Sequence, residues 1–358
     1  RGAVGARAQD FASEQGRLRL TAVATGLEHP WGLAFLPGGS MLVTERPGRL
    51  RLIGAGGAVS KPLAGVPEVY ASGQGGLLDV ALDPRFADNR RVYLSFSEAG
   101  AGGAGTAVAR GRLEAERLAD VAVIFRQEPK LSTSIHFGSR LVFAADGRLF
   151  VALGDRDSRP LVQDLGSHVG KVVRIEADGS VPADNPFAGR SGARPEIWSL
   201  GHRNVQGAAL DPRTGALWTV EHGARGGDEI NQPRAGLNYG WPVISYGREY
   251  SFLPIGEGTA KPGLEQPVHY WDPSIAPSGM AFYTGDKFPA WRGHLFVGSL
   301  KFGRLVRLEL KDAKVVKEER LLEGLDQRVR DVRQGPDGFL YLLTDSPTGR
   351  LLRLEPAR

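Results

Sequence analysis

Apolar residues fall along this chain in short runs that alternate with turns rich in Asp, Gly and Pro, and no stretch sustains a 3.6-residue apolar period over several helical turns. Strands are therefore predicted, with helix a minor component. The recurring unit is an apolar strand, a turn, a second apolar strand and, often after Gly-Arg, a third. It starts six times, at Trp31, Gly76, Ser139, Gln206, Ser278 and Arg330. Six units in 358 residues allow about 60 residues each, against roughly 40 to 45 for a compact four-stranded propeller repeat, and the surplus belongs to loops. Radial closure hides sheet edges that an open array would expose. An all-β fold, one six-bladed β-propeller of four-stranded antiparallel blades, is expected in preference to a pair of β-sandwiches. The strand LRLTAVATGL, Leu18 to Leu27, precedes the first full unit and is expected to complete the last blade, latching the ring. Residues 1–17 read as a flexible N-terminal extension and residues 18–358 as a single propeller domain.

Composition narrows the function classes. Apolar residues at 41% and charged residues at 24% exclude a disordered chain. No apolar run approaches the roughly 18 to 20 residues that cross a bilayer, so membrane insertion by a helix is not expected. The charge balance, 45 − 40 = +5, is spread without a basic tail, which argues against nucleic acid as a partner. With no cysteine there are no disulfides, thiolate metal sites or cysteine nucleophiles. The small, polar start RGAVGARAQDFASEQG fits either a cytoplasmic protein or a secreted one already trimmed.

If each unit opens with the strand nearest the axis, residues just before first strands and residues ending second strands share one mouth. Gln74, His136, Arg203, Asn204, Gln206, Arg328 and Arg330 hold the first position; Asp155, Glu221, His222, Gly223, Lys301 and Asp345 hold the second. Four of these, Arg203, Lys301, Arg328 and Arg330, are fixed cations. Converging like charges call for a ligand with several carboxylates or phosphates, or for pairing with Asp155, Asp331 and Asp345. His136 is a candidate base and Asp155 the carboxylate that would orient it. His202, a buttress to Arg203, and His222, placed in a turn, compete with it. The stretch Glu221 to Pro242 combines glycines with Asp228 and Glu229, oxygen donors that suit Ca²⁺ or a long solvated turn equally well. Trp241, Tyr270, Trp271 and Trp291 are candidates for stacking on a sugar face or for packing.

The motifs HPWGLAF, GQGGLLDVALDP, HFGSRLVF, LGHRNVQG, DEINQ with LNYGWP, APSGMAFY and GSLKFGRL occur in this order between about Leu20 and Leu354. Together the chain resembles the soluble aldose sugar dehydrogenases that use pyrroloquinoline quinone (PQQ), in the glucose/sorbosone dehydrogenase family. The resemblance implies oxidation of an aldose at C1 to its lactone by hydride transfer to PQQ bound over the propeller's central opening. It gives His136 the role of general base and Asp155 that of its support. Arg203 and Asn204 would lie near the quinone oxygens, with Arg203 stabilising charge that develops there, and Gln74, Lys301, Arg328 and Arg330 would contact the cofactor. It also implies one Ca²⁺ on the carbonyls of Gly223 and Ala224, and a second, structural Ca²⁺ on Glu229 and the carbonyl of Tyr239. Ala224 stands where some relatives have Pro. A small redox carrier as electron acceptor and a periplasmic or secreted location follow from the same resemblance. The rival readings are a calcium-dependent lactonase-type hydrolase, which needs a cluster of acidic metal ligands, and a non-catalytic propeller that binds a polyanionic partner.

Overall fold

A computed structural model describes residues 8–357. Six antiparallel sheets follow one another along the chain. The first has strands Pro30–Phe35, Met41–Glu45 and Arg49–Ile53; the second Leu77–Leu82, Arg91–Gly100, Gly103–Glu114 and Arg117–Arg126. The third has Gly138–Phe143, Leu149–Leu153, Lys171–Ile175 and Ile197–Leu200; the fourth Asn204–Leu210, Leu217–His222, Asp228–Asn231 and His269–Trp271. The fifth has Pro277–Phe282, Leu295–Ser299, Arg304–Lys311 and Lys314–Leu321, and the sixth opens with Val329–Gln334, Leu340–Thr344 and Gly349–Pro356. Each opening strand packs against the opening strands of both neighbouring sheets, and the sixth meets the first, so the sheets are blades of a closed six-membered ring.

The sixth blade is completed from the other end of the chain. Leu18–Leu27 lies antiparallel to Gly349–Pro356, with Leu18 opposite Pro356, Leu20 opposite Leu354 and Leu27 opposite Gly349. Of the expected extension over 1–17, residues 1–7 lie outside the described residues, while Ala8–Phe11 pairs with the latch strand as a fifth strand on that blade. The first blade departs from the expected four strands by having three. The chain beyond it makes one bridge, Ile53 to Val59, and returns N–H groups from Ser60 and Leu63 to Leu52 and Leu50, but Pro62 between them has no N–H to extend the ladder.

Burial explains the sequence pattern. Second strands such as LFVAL (Leu149–Leu153) and LYLLT (Leu340–Thr344) are buried on both faces between neighbouring blades, hence their unbroken apolar runs, whereas the outer strand Lys314–Leu321 is mostly exposed. Each of the six blade-to-blade interfaces holds its own apolar cluster. The latch contributes Leu18 and Leu20 to the cluster between blades five and six, and Ala24 and Leu27 to that between blades six and one.

Near the axis the contacts turn polar. Arg140 is 2% exposed, stacks on Trp31 with its guanidinium 3.9 Å from the ring centre, and donates to the carbonyls of Gln206, Trp31 and Arg330 on three different blades. Asp79 and Asp331 lie 3.6 and 3.3 Å from it, and Arg333 bonds both carboxylates at 2.9 Å. The approach is close enough to require glycine: a Cβ at Gly32 would stand 2.6 Å from Asp79 Oδ1, and one at Gly279 1.9 Å from Asp331 Oδ1.

Candidate active site

At one end of the axis, above Arg140, lies a 360 Å³ cavity lined by His29, Trp31, Arg46, Gln74, Leu78, Phe137, Gly138, Asn204, Gln206, His222, Leu300, Arg328, Arg330, Asp345 and Pro347. All six blades or their connecting loops contribute; of the positions named by the strand-register rule, Gln74, Asn204, Gln206, His222, Arg328, Arg330 and Asp345 line the cavity, while His136, Asp155, Arg203, Glu221, Gly223 and Lys301 do not. The polar groups form a connected network. Gln74 Oε1 accepts the His136 N–H at 2.8 Å, Asn204 Oδ1 accepts the Gly138 N–H at 3.2 Å and a Gln206 N–H at 3.3 Å, and Gln206 Oε1 accepts from Arg330 at 2.8 Å. Arg330 also donates to Asp345, whose other oxygen meets His29 Nδ1 at 2.6 Å.

His136 sits at φ +57° in the left-handed region, at the tight reversal that leads into the inner strand of blade three. A non-glycine residue is held there only where its surroundings determine it; here Gln74 takes its N–H and its carbonyl accepts from Arg156 at 3.3 Å. Its Nδ1 lies 2.7 Å from Asp155 Oδ1. Asp155 is 1% exposed and also accepts from the Asp157 N–H at 2.9 Å and from Trp241 Nε1 at 2.8 Å. Burial alone would raise the Asp155 carboxyl, but the hydrogen bond and charge of His136, the Asp157 N–H and the charge of Arg203 outweigh it and hold it below the usual carboxylate range. The pair is thus a carboxylate that fixes an imidazole, with Nδ1 committed to Asp155.

Arg203 is 6% exposed and lies behind the cavity wall. Its N–H donates to Glu221 at 2.6 Å, and its guanidinium donates to the carbonyls of Gly223 at 2.5 Å and His222 at 3.2 Å. His202, fully buried between Ser199 and Glu221, buttresses this segment as expected. His222 ends the second strand of blade four, as the register rule places it, and lines the cavity rather than sitting in a turn. Desolvation, with the charges of Arg203, Arg330 and His136 and against a hydrogen bond to the Pro277 carbonyl, pushes its imidazole down to about 3. It is a neutral donor at the wall, with Nε2 2.5 Å from that carbonyl.

The expected cations divide. Arg328 and Arg330 reach the cavity wall. Lys301 is exposed, its ammonium 5.4 Å from the Phe302 ring, because the strand ends at Ser299 and Leu300, not Lys301, turns inward. Pairing with acids also occurs: Arg330 with Asp345, and Asp331 with Arg140 and Arg333 rather than with a mouth cation. Two ionisable wall residues were not anticipated, His29 and Arg46. They immediately precede and follow the first two strands of blade one, so the same register rule applied to the unit at Trp31 finds them. Of the candidate stacking residues, Trp241, Trp271 and Trp291 are buried and pack; only Tyr270 is exposed, lying flat on Tyr246 at 3.9 Å.

Beside the mouth, Asp228 is consumed in shaping the turn, accepting from the N–H groups of Gly223 and Ile275 and the Ser274 hydroxyl. Glu229 is different. Desolvation and the neighbouring charges of Glu221 and Asp228 raise its carboxyl well above the ordinary range, against the help of Asn231. Asn231 donates to Glu221 at 3.1 Å and to Glu229 at 3.3 Å, and its Oδ1 is buried without a partner. Tyr239 joins the same neighbourhood by stacking at 5.1 Å on His202, itself bonded to Glu221. Among the described residues no group of three or more His, Cys, Asp or Glu is arranged to hold a metal, so the acid cluster that the lactonase reading requires is not found there.

The profile of the glucose/sorbosone dehydrogenase family matches residues 27–353. The chain is 53% identical over 336 residues to an aldose sugar dehydrogenase of Escherichia coli, covering 92% of this chain and 91% of that protein. Among solved structures, a glucose dehydrogenase superposes with a TM-score of 0.93 at 56% identity, covering 95% of this chain and 99% of the other. The PQQ-bound form of an aldose sugar dehydrogenase from Streptomyces coelicolor superposes with a TM-score of 0.78 at 31% identity, covering 99% and 100%.

Proposed function

The chain belongs to the glucose/sorbosone dehydrogenase family and is an oxidoreductase that acts on aldose sugars with PQQ; from that premise we propose that it oxidises the sugar at C1 to the lactone with His136 as general base. The observation that carries the base assignment is the buried His136–Asp155 pair, which stands next to the wall of a cationic axial cavity: Gln74, which accepts the His136 N–H, and Phe137, the next residue along the chain, both line it.

The cavity fits a flat tricarboxylate. Arg46, Arg328 and Arg330 line it against the single carboxylate of Asp345, and that excess of fixed positive charge is relieved by an anion. Gln74, Asn204, Arg328 and Arg330 would hold the cofactor, with Arg203 behind the wall adding positive potential and Lys301 at the outer rim. When bound, the o-quinone supplies the electrophilic carbon that receives hydride. The chain's own residues do the rest. Asp155 keeps the Nδ1 proton on His136, which leaves Nε2 to take the proton from the sugar's C1 hydroxyl, and the resulting imidazolium is stabilised by the same carboxylate. Arg203 and Arg330 favour negative charge that develops in the cavity, because they are positioned before the reaction and shielded from water.

Ca²⁺ on the carbonyls of Gly223 and Ala224 would act as a Lewis acid at this rim. The Gly223 carbonyl accepts from the Arg203 guanidinium at 2.5 Å, so a metal there would share that oxygen's electron density with Arg203. A second Ca²⁺ at Glu229 and the Tyr239 carbonyl is supported by the destabilised Glu229 carboxyl and the unpartnered Asn231 Oδ1, both of which a hard cation relieves. A small redox carrier as electron acceptor and a periplasmic or secreted location complete the proposal.

The test reconstitutes the purified protein with PQQ and Ca²⁺ and follows glucose-driven reduction of a dye. His136→Ala should lose nearly all turnover while still binding PQQ, read from its absorbance. Dye reduction at the wild-type rate in that variant removes His136 from the mechanism.

A further inference from the structure

We propose that Trp241 is a positioning residue for proton transfer: its indole N–H occupies the second oxygen of Asp155 and so locks His136 in the tautomer whose Nε2 is free to accept. This rests on His136 being the base.

The two oxygens of Asp155 do different work. Oδ1 faces His136 Nδ1 at 2.7 Å and the Asp157 N–H at 2.9 Å, while Oδ2 receives the Trp241 indole at 2.8 Å. The torsion that turns a carboxylate is broad and roughly two-fold, so a carboxylate tied at one oxygen swings where one tied at both does not. The donor's chemistry matters as well as its position. An indole N–H is neutral and does not titrate, so it fills the lone pairs of Oδ2 while leaving the negative charge that pulls on the Nδ1 proton. A lysine or arginine in that place would cancel part of the pull.

Trp241 is itself held from several directions. It is 5% exposed, its backbone N–H donates to the Gly201 carbonyl at 3.0 Å, and its backbone carbonyl accepts from Gln163 at 2.8 Å. Guanidinium groups lie near its ring, Arg159 at 4.9 Å and Arg203 at 5.4 Å from the centre. Arg159 is fixed in turn by a two-pronged pair with Glu249 at 2.5 and 2.9 Å. The charged groups acting on this carboxylate are therefore His136, Arg203, Arg156 and Arg159. All of them are cationic or protonatable, and the indole alone binds Oδ2 without adding charge. Packing does not require the nitrogen, since Phe would serve a purely apolar role, and the N–H is spent on the carboxylate that faces the base.

The experiment replaces Trp241 with β-(3-benzothienyl)alanine, which exchanges the N–H for sulfur in a ring of nearly the same shape, and separately with Phe. Imidazole ¹⁵N shifts of His136, measured without cofactor, report the tautomer, and steady-state kinetics of the PQQ- and Ca²⁺-loaded protein report its consequence. The wild type should show one neutral tautomer with the proton on Nδ1. Both variants should show a mixture, with kcat lowered about tenfold and KM for the aldose within about twofold, as loss of one hydrogen bond to an ionised group predicts. A single unchanged tautomer with wild-type kcat in a folded benzothienyl variant overturns the proposal. Failure of the underlying reading looks different: His136→Ala then turns over at the wild-type rate whatever the Trp241 variants do.

Discussion

Acidifying the protein should expose the cost of keeping His222 neutral. Its imidazole is held at about 3 in the folded chain, against an unperturbed value near 6.5 when unfolded. Because the folded value is the lower one, the unfolded chain binds the proton first, and stability is complete above about pH 6.5 and falls as the pH drops toward 3. Between pH 7 and pH 4 the unfolded state gains about 2.5 pH units of protonation free energy that the folded state cannot match, about 3 kcal/mol. His222 lies at a cavity wall, where solvent screens part of this, which leaves roughly 2 to 3 kcal/mol. Urea unfolding of the cofactor-free protein and of His222→Gln at both pH values isolates it, since glutamine can still donate to the Pro277 carbonyl and all other acids titrate alike in the two proteins. The wild type should lose that amount relative to the variant. Stability curves that run parallel from pH 7 to pH 4 would refute the reasoning. A polyanion in the cavity offsets the charges of Arg203 and Arg330, so PQQ should shrink the difference.

Three further outcomes follow from the geometry. Glu229 carries a raised carboxyl, so its charge costs stability at pH 7 and the cost is returned as the pH falls; Glu229→Gln should melt above the wild type in chelator and gain less from added Ca²⁺, read by differential scanning fluorimetry. Arg330→Met removes a wall cation and leaves Asp345 to His29 and, at 3.9 Å, Arg46, and should weaken PQQ binding at least tenfold in an absorbance titration; unchanged affinity would detach Arg330 from the cofactor site. Leu27→Ala, at a fully buried latch position, should cost about 2 to 5 kcal/mol, and deletion of Leu18 to Leu27 should lower the melting temperature far more; an unchanged melting temperature in the deletion would mean that the strand does not close the ring.

The blades were legible because the buried second strands carry short apolar runs, such as LFVAL and LYLL, bounded by turn residues, and the latch because Leu18 to Leu27 is a strand that precedes the first full unit. The missing fourth strand of blade one was not legible, since it depends on one proline within an otherwise ordinary stretch. At the site, the register rule brought Gln74, His136, Asp155, Asn204 and Arg330 into one network, and it would have found His29 and Arg46 had it been applied to the first unit. At Lys301 one residue of extra turn exchanges the side chain that faces inward, so Leu300 stands at the wall and Lys301 is exposed. The tryptophans illustrate a different limit: composition says that indoles are present, but only packing says that Trp241, Trp271 and Trp291 are covered. The axial quartet of Arg140, Asp79, Asp331 and Arg333 was invisible, because its members come from three blades and each alone reads as a charged residue in a strand.

That quartet has a kinetic consequence. On its far side the inner strands end in an apolar bowl lined by residues such as Phe35, Phe143 and Phe282 with Arg333, and the paired charges plug the shaft between the bowl and the cationic cavity. A sugar and an electron acceptor that approach along the axis therefore reach the cavity from the same end, and we expect one to leave before the other arrives. Initial rates measured against both should give parallel double-reciprocal lines, the mark of a shuttle that alternates between two charged and discharged forms.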